Sequence, residues 1–232
     1  MSDHAYSDED EDCAGALLEE ERAPTGEVRF DHLLLDFYEV YSADVAQGSD
    51  EWLELRKKYL TASEFAHWIG QHPYPKKRGR YSVVEEKFTD PKHSASTLRN
   101  FAHGHFYESI AADVLEAVLL KPLERRGFYF CPELCLGASP DRVVVEPDGS
   151  IANYEIKCPI GGVIPAEVPV QYALQVDVQN LLLGASKSFV YFWTPWKKTK
   201  LLEVPVRDPE EFICTYKTDI EDFKFEINSR KV

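Results

Sequence analysis

The chain lacks the features of disulfide-stabilised secreted domains and of membrane proteins. Only five cysteines occur among 232 residues, an odd number without dense spacing, so a disulfide framework is not expected. No basic segment followed by an apolar core opens the chain, and no apolar run approaches the length of a membrane span. These absences predict a soluble intracellular protein, nuclear or cytoplasmic, with no membrane partner.

Positive charge is also scarce. The 26 Lys and Arg are outnumbered by 40 Asp and Glu, and a formal net charge of −14 argues against a nucleic-acid partner. Nine of the acids lie within residues 1–21, which contain no Lys or Arg, so the remainder is only mildly acidic. We therefore predict an acidic disordered tail over 1–25 and a single domain over 26–232. The tail is either a solvating leader or a segment that binds a partner or mimics DNA.

The stretch Leu136–Pro159 contains the most informative local pattern. Two apolar runs, Val143–Val145 and Tyr154–Ile156, flank a Pro-Asp-Gly turn. Pro147 fixes φ, and Gly149 permits the positive φ that such turns require. The pattern predicts a β-hairpin.

Three charged side chains are expected to meet on this hairpin. Asp141 stands at its entrance, and Glu155 and Lys157 alternate on the second strand, so they point to one face. Two close carboxylates repel each other unless a cation lies between them, and hard oxygen ligands suit Mg²⁺. The predicted chemistry is metal-assisted hydrolysis of a phosphodiester, with Lys157 orienting water or offsetting charge. The alternative is an ordinary turn followed by an exposed Glu-Lys ladder.

Two earlier segments offer phosphate-binding groups. Ser49 and the residues after it predict an amphipathic helix that carries Arg56, and Ser63 lies at the start of a second helix. An Arg fork and a helix start both bind phosphate well, although an ordinary surface Arg and Ser fit the spacing too. The loop Pro73–Arg80 is basic and either contacts a DNA backbone or is simply solvated.

Helical spacing recurs in two further segments. Phe101–Leu120 is predicted to be a helix that carries Glu108, a candidate third metal ligand or a plain surface acid. Val170–Leu183 is predicted to be an apolar helix that carries Gln175 and ends at Gly184. The order of helices, hairpin, helix, hairpin and helix predicts an α/β domain built on a mixed sheet with helices packed against it.

Four separated blocks follow one another in the order found in a known group of nucleases. They are Trp52-x-x-x-Arg56 with Leu60-Thr61-Ala62-Ser63, Gly104-x-x-Tyr107-Glu108, Ser139-Pro140-Asp141 with Glu155-Ile156-Lys157-Cys158-Pro159, and Tyr172-x-x-Gln175 before an aromatic strand. Together they resemble the PD-(D/E)xK nuclease superfamily, and within it the phage lambda exonuclease and YqaJ-like viral recombinase group. The resemblance implies a restriction-endonuclease-like mixed β-sheet core flanked by helices.

The resemblance also implies a role for each motif residue. The metal ligands, for one or two ions of Mg²⁺ or Mn²⁺, are the carboxylates of Glu108, Asp141 and Glu155 and the carbonyl of Ile156. Lys157 positions the nucleophilic water, and Gln175 aligns the reactive strand. Arg56 and Ser63 capture the 5′ phosphate of the DNA end.

The implied activity is 5′→3′ digestion of duplex DNA, which leaves a 3′ single strand for an annealing protein; some relatives form trimeric rings. An endonuclease, a nuclease for RNA or branched DNA, and a non-catalytic module that binds DNA or a recombination partner remain alternatives. Two residues depart from the family pattern. Arg142 replaces the small residue, usually Gly, after the motif Asp, and Asp177 stands where relatives often carry a second Gln.

Overall fold

A computed structural model describes residues 25–73, 79–89, 93–196 and 199–230. The predicted acidic tail, apart from its last residue, and most of the predicted basic loop, residues 74–78, lie outside these ranges. The predicted class is confirmed as mixed α/β with flanking helices, and the strands are divided between two mixed sheets. None of the helices in the described ranges is long and apolar enough to cross a membrane.

The helices and strands have the following bounds. The helices are α1 (Asp50–Lys58), α2 (Ala62–Trp68), α3 (Arg80–Phe88), α4 (Ala95–Leu119), α5 (Val170–Leu183) and α6 (Pro209–Ser229). The strands are β1 (Val28–Leu34), β2 (Tyr38–Ala43), β3 (Leu60–Thr61), β4 (Phe128–Cys131), β5 (Leu136–Ala138), β6 (Arg142–Val145), β7 (Ile151–Lys157), β8 (Lys187–Phe192) and β9 (Lys200–Glu203). The first sheet has the order β1-β2-β4-β5-β3, and the second has the order β6-β7-β8-β9.

The second sheet contains the predicted hairpin. Strands β6 and β7 pair antiparallel, with Arg142 opposite Tyr154, and Gly149 has φ 83° in the turn between them. Strand β8 pairs parallel to β7, so α5 is the crossover helix of a β-α-β unit and packs against the sheet. Helix α5 has the predicted bounds and ends at Gly184 in the left-handed conformation.

The first sheet differs more from the sequence prediction. The alternation of Phe128, Tyr129 and Phe130 predicts a strand over 125–131, but the strand begins only at Phe128. The three-residue β5 that pairs with it shows no recognisable alternation. Gly137 in β5 is required by packing, because a Cβ there would lie 2.4 Å from the ring of Phe128. Strand β3 pairs parallel to β5 and delivers the chain directly into α2. This sheet therefore carries the helices that precede the hairpin.

Helices α1, α2 and α3 are joined by a buried ion pair. Glu64 Oε2 accepts from Lys87 Nζ at 2.5 Å and from Thr61 Oγ1 at 2.6 Å, and the Lys87 side chain is only 4% exposed. Lys87 Nζ also donates to the carbonyl of Arg56 at 2.8 Å, near the end of α1. The pair consequently fixes the end of α1 against the first turn of α2, where Ser63 lies.

Truncating this pair is expected to be costly. Lys87→Ala leaves the Glu64 carboxylate buried without its ammonium, so the free energy of unfolding should fall by about 3–5 kcal/mol. The double variant Glu64→Gln with Lys87→Met should lose clearly less, because no uncompensated charge remains and Gln can still serve the capping box. Urea denaturation at neutral pH measures both.

Lys57→Ala is the matched control, since Lys57 pairs with Glu54 on the exposed face of α1. Its loss should stay below about 1 kcal/mol. Equal losses for Lys87→Ala and Lys57→Ala would contradict a structural role for the buried pair.

Candidate active site

The hairpin brings Asp141 against the second strand. Asp141 Oδ2 accepts a hydrogen bond from the backbone N–H of Ile156 at 2.8 Å, so its carboxylate lies between the positions of Glu155 and Lys157. The segment before it is also held, because Trp52 Nε1 donates to Ser139 Oγ at 2.8 Å. The first and third sequence blocks are therefore in direct contact.

Glu155 is at the centre of the cluster and is only 1% exposed. Its Oε1 accepts from Lys157 Nζ at 2.5 Å and from Gln175 Nε2 at 2.7 Å, and its Oε2 accepts from Gln179 Nε2 at 2.6 Å. Lys157 Nζ also lies 4.8 Å from the centre of the Tyr172 ring. The alternative of an exposed Glu-Lys ladder is wrong, because this carboxylate is buried and bonded at both oxygens.

The sequence prediction missed Gln179. It lies one turn after Gln175 on α5, and the available signal was the recurrence of Gln at 171, 175 and 179 on one helix face. Gln179 is fully buried, and its Oε1 accepts from Asn153 Nδ2 at 3.1 Å. Asn153 also donates to Asn180, which donates to Ser188, which donates to the carbonyl of Val204. A chain of buried amides thus connects Glu155 to the far edge of the second sheet.

Asp177 does not take the place of a second Gln at the site. Its Oδ2 lies 3.4 Å from Arg207 Nη2, whereas Gln179 is the residue that bonds Glu155. Burial raises the pKa of Asp177 to about 6, although Arg207 acts in the opposite direction. Asp177 therefore contacts Arg207, and Gln179, two residues later, is the second Gln that bonds Glu155.

Glu108 reaches the cluster from α4 and faces Arg142. Its Oε1 lies 3.6 Å from Arg142 Nη1, which also donates to the carbonyl of Asp141 at 2.5 Å. Burial raises the pKa of Glu108, Arg142 opposes that rise, and Glu155 adds to it.

Helix α4 begins at Ala95, six residues before the predicted start, because Ser94 caps it by accepting from the N–H of Thr97.

The carboxylates interact electrostatically. Burial raises the pKa of Asp141 well above its usual range, and Glu155 and Glu108 raise it further. Burial alone would lower the pKa of Lys157, but Glu155 and Asp141 outweigh it and raise that pKa above its usual value. Lys157 is therefore an ammonium at neutral pH, and the cluster still has an excess of negative charge.

Arg56 and Ser63 are in hydrogen-bond contact. Arg56 Nη2 donates to Ser63 Oγ at 3.3 Å, and the guanidinium carbon lies 4.4 Å from the centre of the Trp52 ring. Because Trp52 also bonds Ser139, one indole connects this pair to the segment that carries Asp141.

Residues 51–185, more than half of the chain, match the YqaJ-like viral recombinase domain. The chain belongs to this family. Every motif residue discussed above, from Trp52 to Gln179, lies within the matched part.

Known structures agree on the fold of this YqaJ-like domain. An alkaline exonuclease, LHK-Exo, from Laribacter hongkongensis superposes with a TM-score of 0.60 at 19% identity, covering 78% of this chain and 94% of that one. The same enzyme in complex with dAMP gives a TM-score of 0.57 with the same identity and coverage. No curated protein sequence matches the chain.

The donor set of the YqaJ-like domain suits a divalent cation. Mg²⁺ binds proteins through one or two carboxylates and completes its shell with water and substrate oxygens, so Asp141 and Glu155 suffice. Burial is the largest cause of the raised pKa values of Asp141 and Glu108, and a cation bound beside them would favour their ionised forms. Within the described ranges, no three Asp, Glu, His or Cys side chains form a group that could hold a metal among themselves. The ligand roles of Glu108, Asp141, Glu155 and the Ile156 carbonyl stay predictions.

The burial of Asp177 predicts that the stability of the fold depends on pH. The folded protein keeps the Asp177 proton up to about pH 6, whereas the unfolded chain loses it near pH 4, so stability falls as the pH rises between these values. Asp177→Asn should therefore be more stable than wild type at pH 7.5, by up to about 3 kcal/mol, since the pKa of about 6 already includes the attraction of Arg207, and it should lose this advantage at pH 4. Urea denaturation at the two pH values measures the difference.

Asp113→Asn is the control, because Asp113 is exposed on α4. It should change stability by less than about 0.5 kcal/mol at both pH values. An Asp177→Asn variant that is less stable at pH 7.5 than at pH 4, relative to wild type, would show that the Arg207 ion pair outweighs burial.

Proposed function

We propose that the protein is a divalent-metal-dependent DNA exonuclease that digests duplex DNA from 5′ ends. The observation that carries the proposal is the buried Glu155 carboxylate, bonded by Lys157 and Gln175 beside Asp141. This residue set suits metal-assisted phosphodiester hydrolysis, because it offers oxygen ligands for a cation and an ammonium next to them. The fold shared with an alkaline exonuclease, which has also been solved with dAMP, supports a deoxynucleotide substrate.

Each residue of the cluster has a distinct role in this proposal. Asp141 and Glu155 hold Mg²⁺ or Mn²⁺, which when bound supplies an activated water and polarises the phosphoryl oxygen. Lys157 is protonated, so it orients the water and offsets negative charge and does not remove a proton. Gln175 Nε2 donates to Glu155 Oε1, and Gln175 Oε1 accepts from Lys157 Nζ at 3.3 Å. Gln175 therefore keeps both side chains aligned with the reactive strand.

The preference for 5′ ends follows from Arg56 and Ser63. The Arg56 guanidinium and the exposed Ser63 hydroxyl are adjacent, and together they offer charge-assisted hydrogen bonds to a terminal phosphate. Trp52 stacks under Arg56 and is bonded to Ser139, so the terminal phosphate would be held at a fixed distance from Asp141. Digestion from that end leaves a 3′ strand for an annealing protein, and a ring-shaped trimer would keep the enzyme on the DNA.

The decisive experiment uses linear duplex labelled at either end, with Mg²⁺ and a 5′ phosphate or 5′ hydroxyl. The wild type should release nucleotides from phosphorylated 5′ ends and leave covalently closed circles and RNA intact. Lys157→Ala should lower kcat by about 10²–10⁴, because a charge positioned for the transition state is removed. Lys187→Ala is the control, because Lys187 is an exposed lysine at the start of β8, and it should retain wild-type activity.

An Arg56→Ala variant separates end recognition from chemistry. It should lose the preference for 5′ phosphate over 5′ hydroxyl, mainly through KM, while its rate at saturating DNA stays close to wild type. Cutting of closed circles as fast as linear DNA would contradict the exonuclease assignment. Full activity of Lys157→Ala would contradict the proposed chemistry.

Gln179 is expected to act as a positioning residue for Glu155. Gln179→Ala removes the only described side-chain donor to Glu155 Oε2, so the apparent Mg²⁺ affinity should fall about 10–100-fold while saturating Mg²⁺ restores most of kcat. A Mg²⁺ titration of the initial rate measures this split. Asn228→Ala, at an exposed amide on α6, should leave the titration unchanged. A loss of kcat that Mg²⁺ does not restore would instead indicate a collapsed site.

A further inference from the structure

Arg142 is a buried cation immediately after Asp141. Its side chain is 6% exposed, its Nη1 donates to the carbonyl of Asp141 at 2.5 Å, and the same nitrogen lies 3.6 Å from Glu108 Oε1. A buried guanidinium is retained only where anions or carbonyls compensate its desolvation. The arginine is therefore part of the carboxylate cluster and is bound to one of its members.

The formal charges of the cluster leave room for one divalent ion. With all three carboxylates ionised, Glu108, Asp141 and Glu155 carry three negative charges beside the two contacting cations Arg142 and Lys157, so the formal net charge of these five groups is −1. One divalent ion and one scissile phosphodiester bring this total to zero. A second divalent ion would leave two uncompensated positive charges in a partly buried site, where excess charge is costly.

The contacts point in the same direction. Glu155 and Asp141 are adjacent on the hairpin, whereas Glu108 is held towards Arg142. In the part of the chain that the structure describes, no three acidic, His or Cys side chains are grouped as metal ligands. We propose that Arg142 takes the place of a second divalent cation at Glu108, so that the site binds a single ion through Asp141 and Glu155. This inference rests on the proposed metal-dependent function, and it makes Glu108 a positioning residue rather than a ligand.

Counting bound Mn²⁺ tests the inference without any measurement of turnover. The purified full chain, free of DNA, is titrated with Mn²⁺ and followed by calorimetry and by electron paramagnetic resonance. The wild type should bind one Mn²⁺ per chain and show the spectrum of an isolated ion. Arg142→Gly should bind two, with the broadened spectrum of two spin-coupled ions, because Glu108 then lacks its cation.

Two variants serve as matched controls. Arg142→Lys keeps the positive charge and should bind one ion. Arg125→Ala should also bind one ion, because Arg125 is exposed and influences the pKa of Glu108 less than Arg142 does. Glu108→Gln should still bind one ion with an affinity within about tenfold of wild type, whereas Asp141→Asn should lose about a hundredfold or more. Thermal unfolding verifies that each variant is folded.

The outcomes separate the two proposals. Two Mn²⁺ ions in the wild type, or one ion in a folded Arg142→Gly, overturn the role of Arg142 and leave the nuclease proposal standing. Absence of Mn²⁺ binding overturns both. If Arg142→Gly does not fold, the inference is decided by the number of Mn²⁺ ions bound to the wild type and by the Mn²⁺ affinity of Glu108→Gln. A loss of affinity in Glu108→Gln as large as that in Asp141→Asn rejects the inference.

Discussion

The buried carboxylate of Glu155 constrains the structure around it. An ionised carboxylate is stable at 1% exposure only if hydrogen bonds and opposite charge replace its water, and here Lys157, Gln175 and Gln179 all donate to it. Two of the donors come from α5, so that helix has to cross the sheet with its polar edge over β7. In the same region β7 pairs parallel to β8, and Asn153 on β7 donates to Gln179.

A second constraint joins the helices before the hairpin to the hairpin itself. Trp52 contacts Arg56 on one side and Ser139 on the other, and the ion pair between Glu64 and Lys87 anchors the backbone from which Arg56 projects. The group that would hold a DNA end and the group that would act on it are thus rigidly connected. In the proposed exonuclease, this connection would set the distance between the bound DNA end and the bond to be hydrolysed.

Local signals account for the parts of the fold that the sequence predicted well. The Pro-Asp-Gly turn defined the hairpin and Gly184 defined the end of α5, because each acts through its own backbone conformation. The short strands β3 and β5 were missed because two or three residues show no alternation. The role of Gln179 was missed, because a buried amide is recognised only by its non-local partners, here Glu155 and Asn153.

Arg142 is one of several cations at the candidate site of a chain whose formal net charge is strongly negative. A formal net charge of −14 would repel DNA, yet the cluster and its surroundings contain fixed cations at Arg56, Arg142 and Lys157. Fields within a few ångströms in a poorly solvated site exceed those of distant surface acids, which salt screens over about 8 Å at physiological ionic strength. The guanidinium of an arginine contributes one positive charge at a fixed position, whereas a divalent metal ion contributes two and has to be bound from solution. Under the role proposed for Arg142, replacing a small motif residue by arginine would lower the number of ions that the site binds, while the proposed ligands Asp141 and Glu155 stay in place.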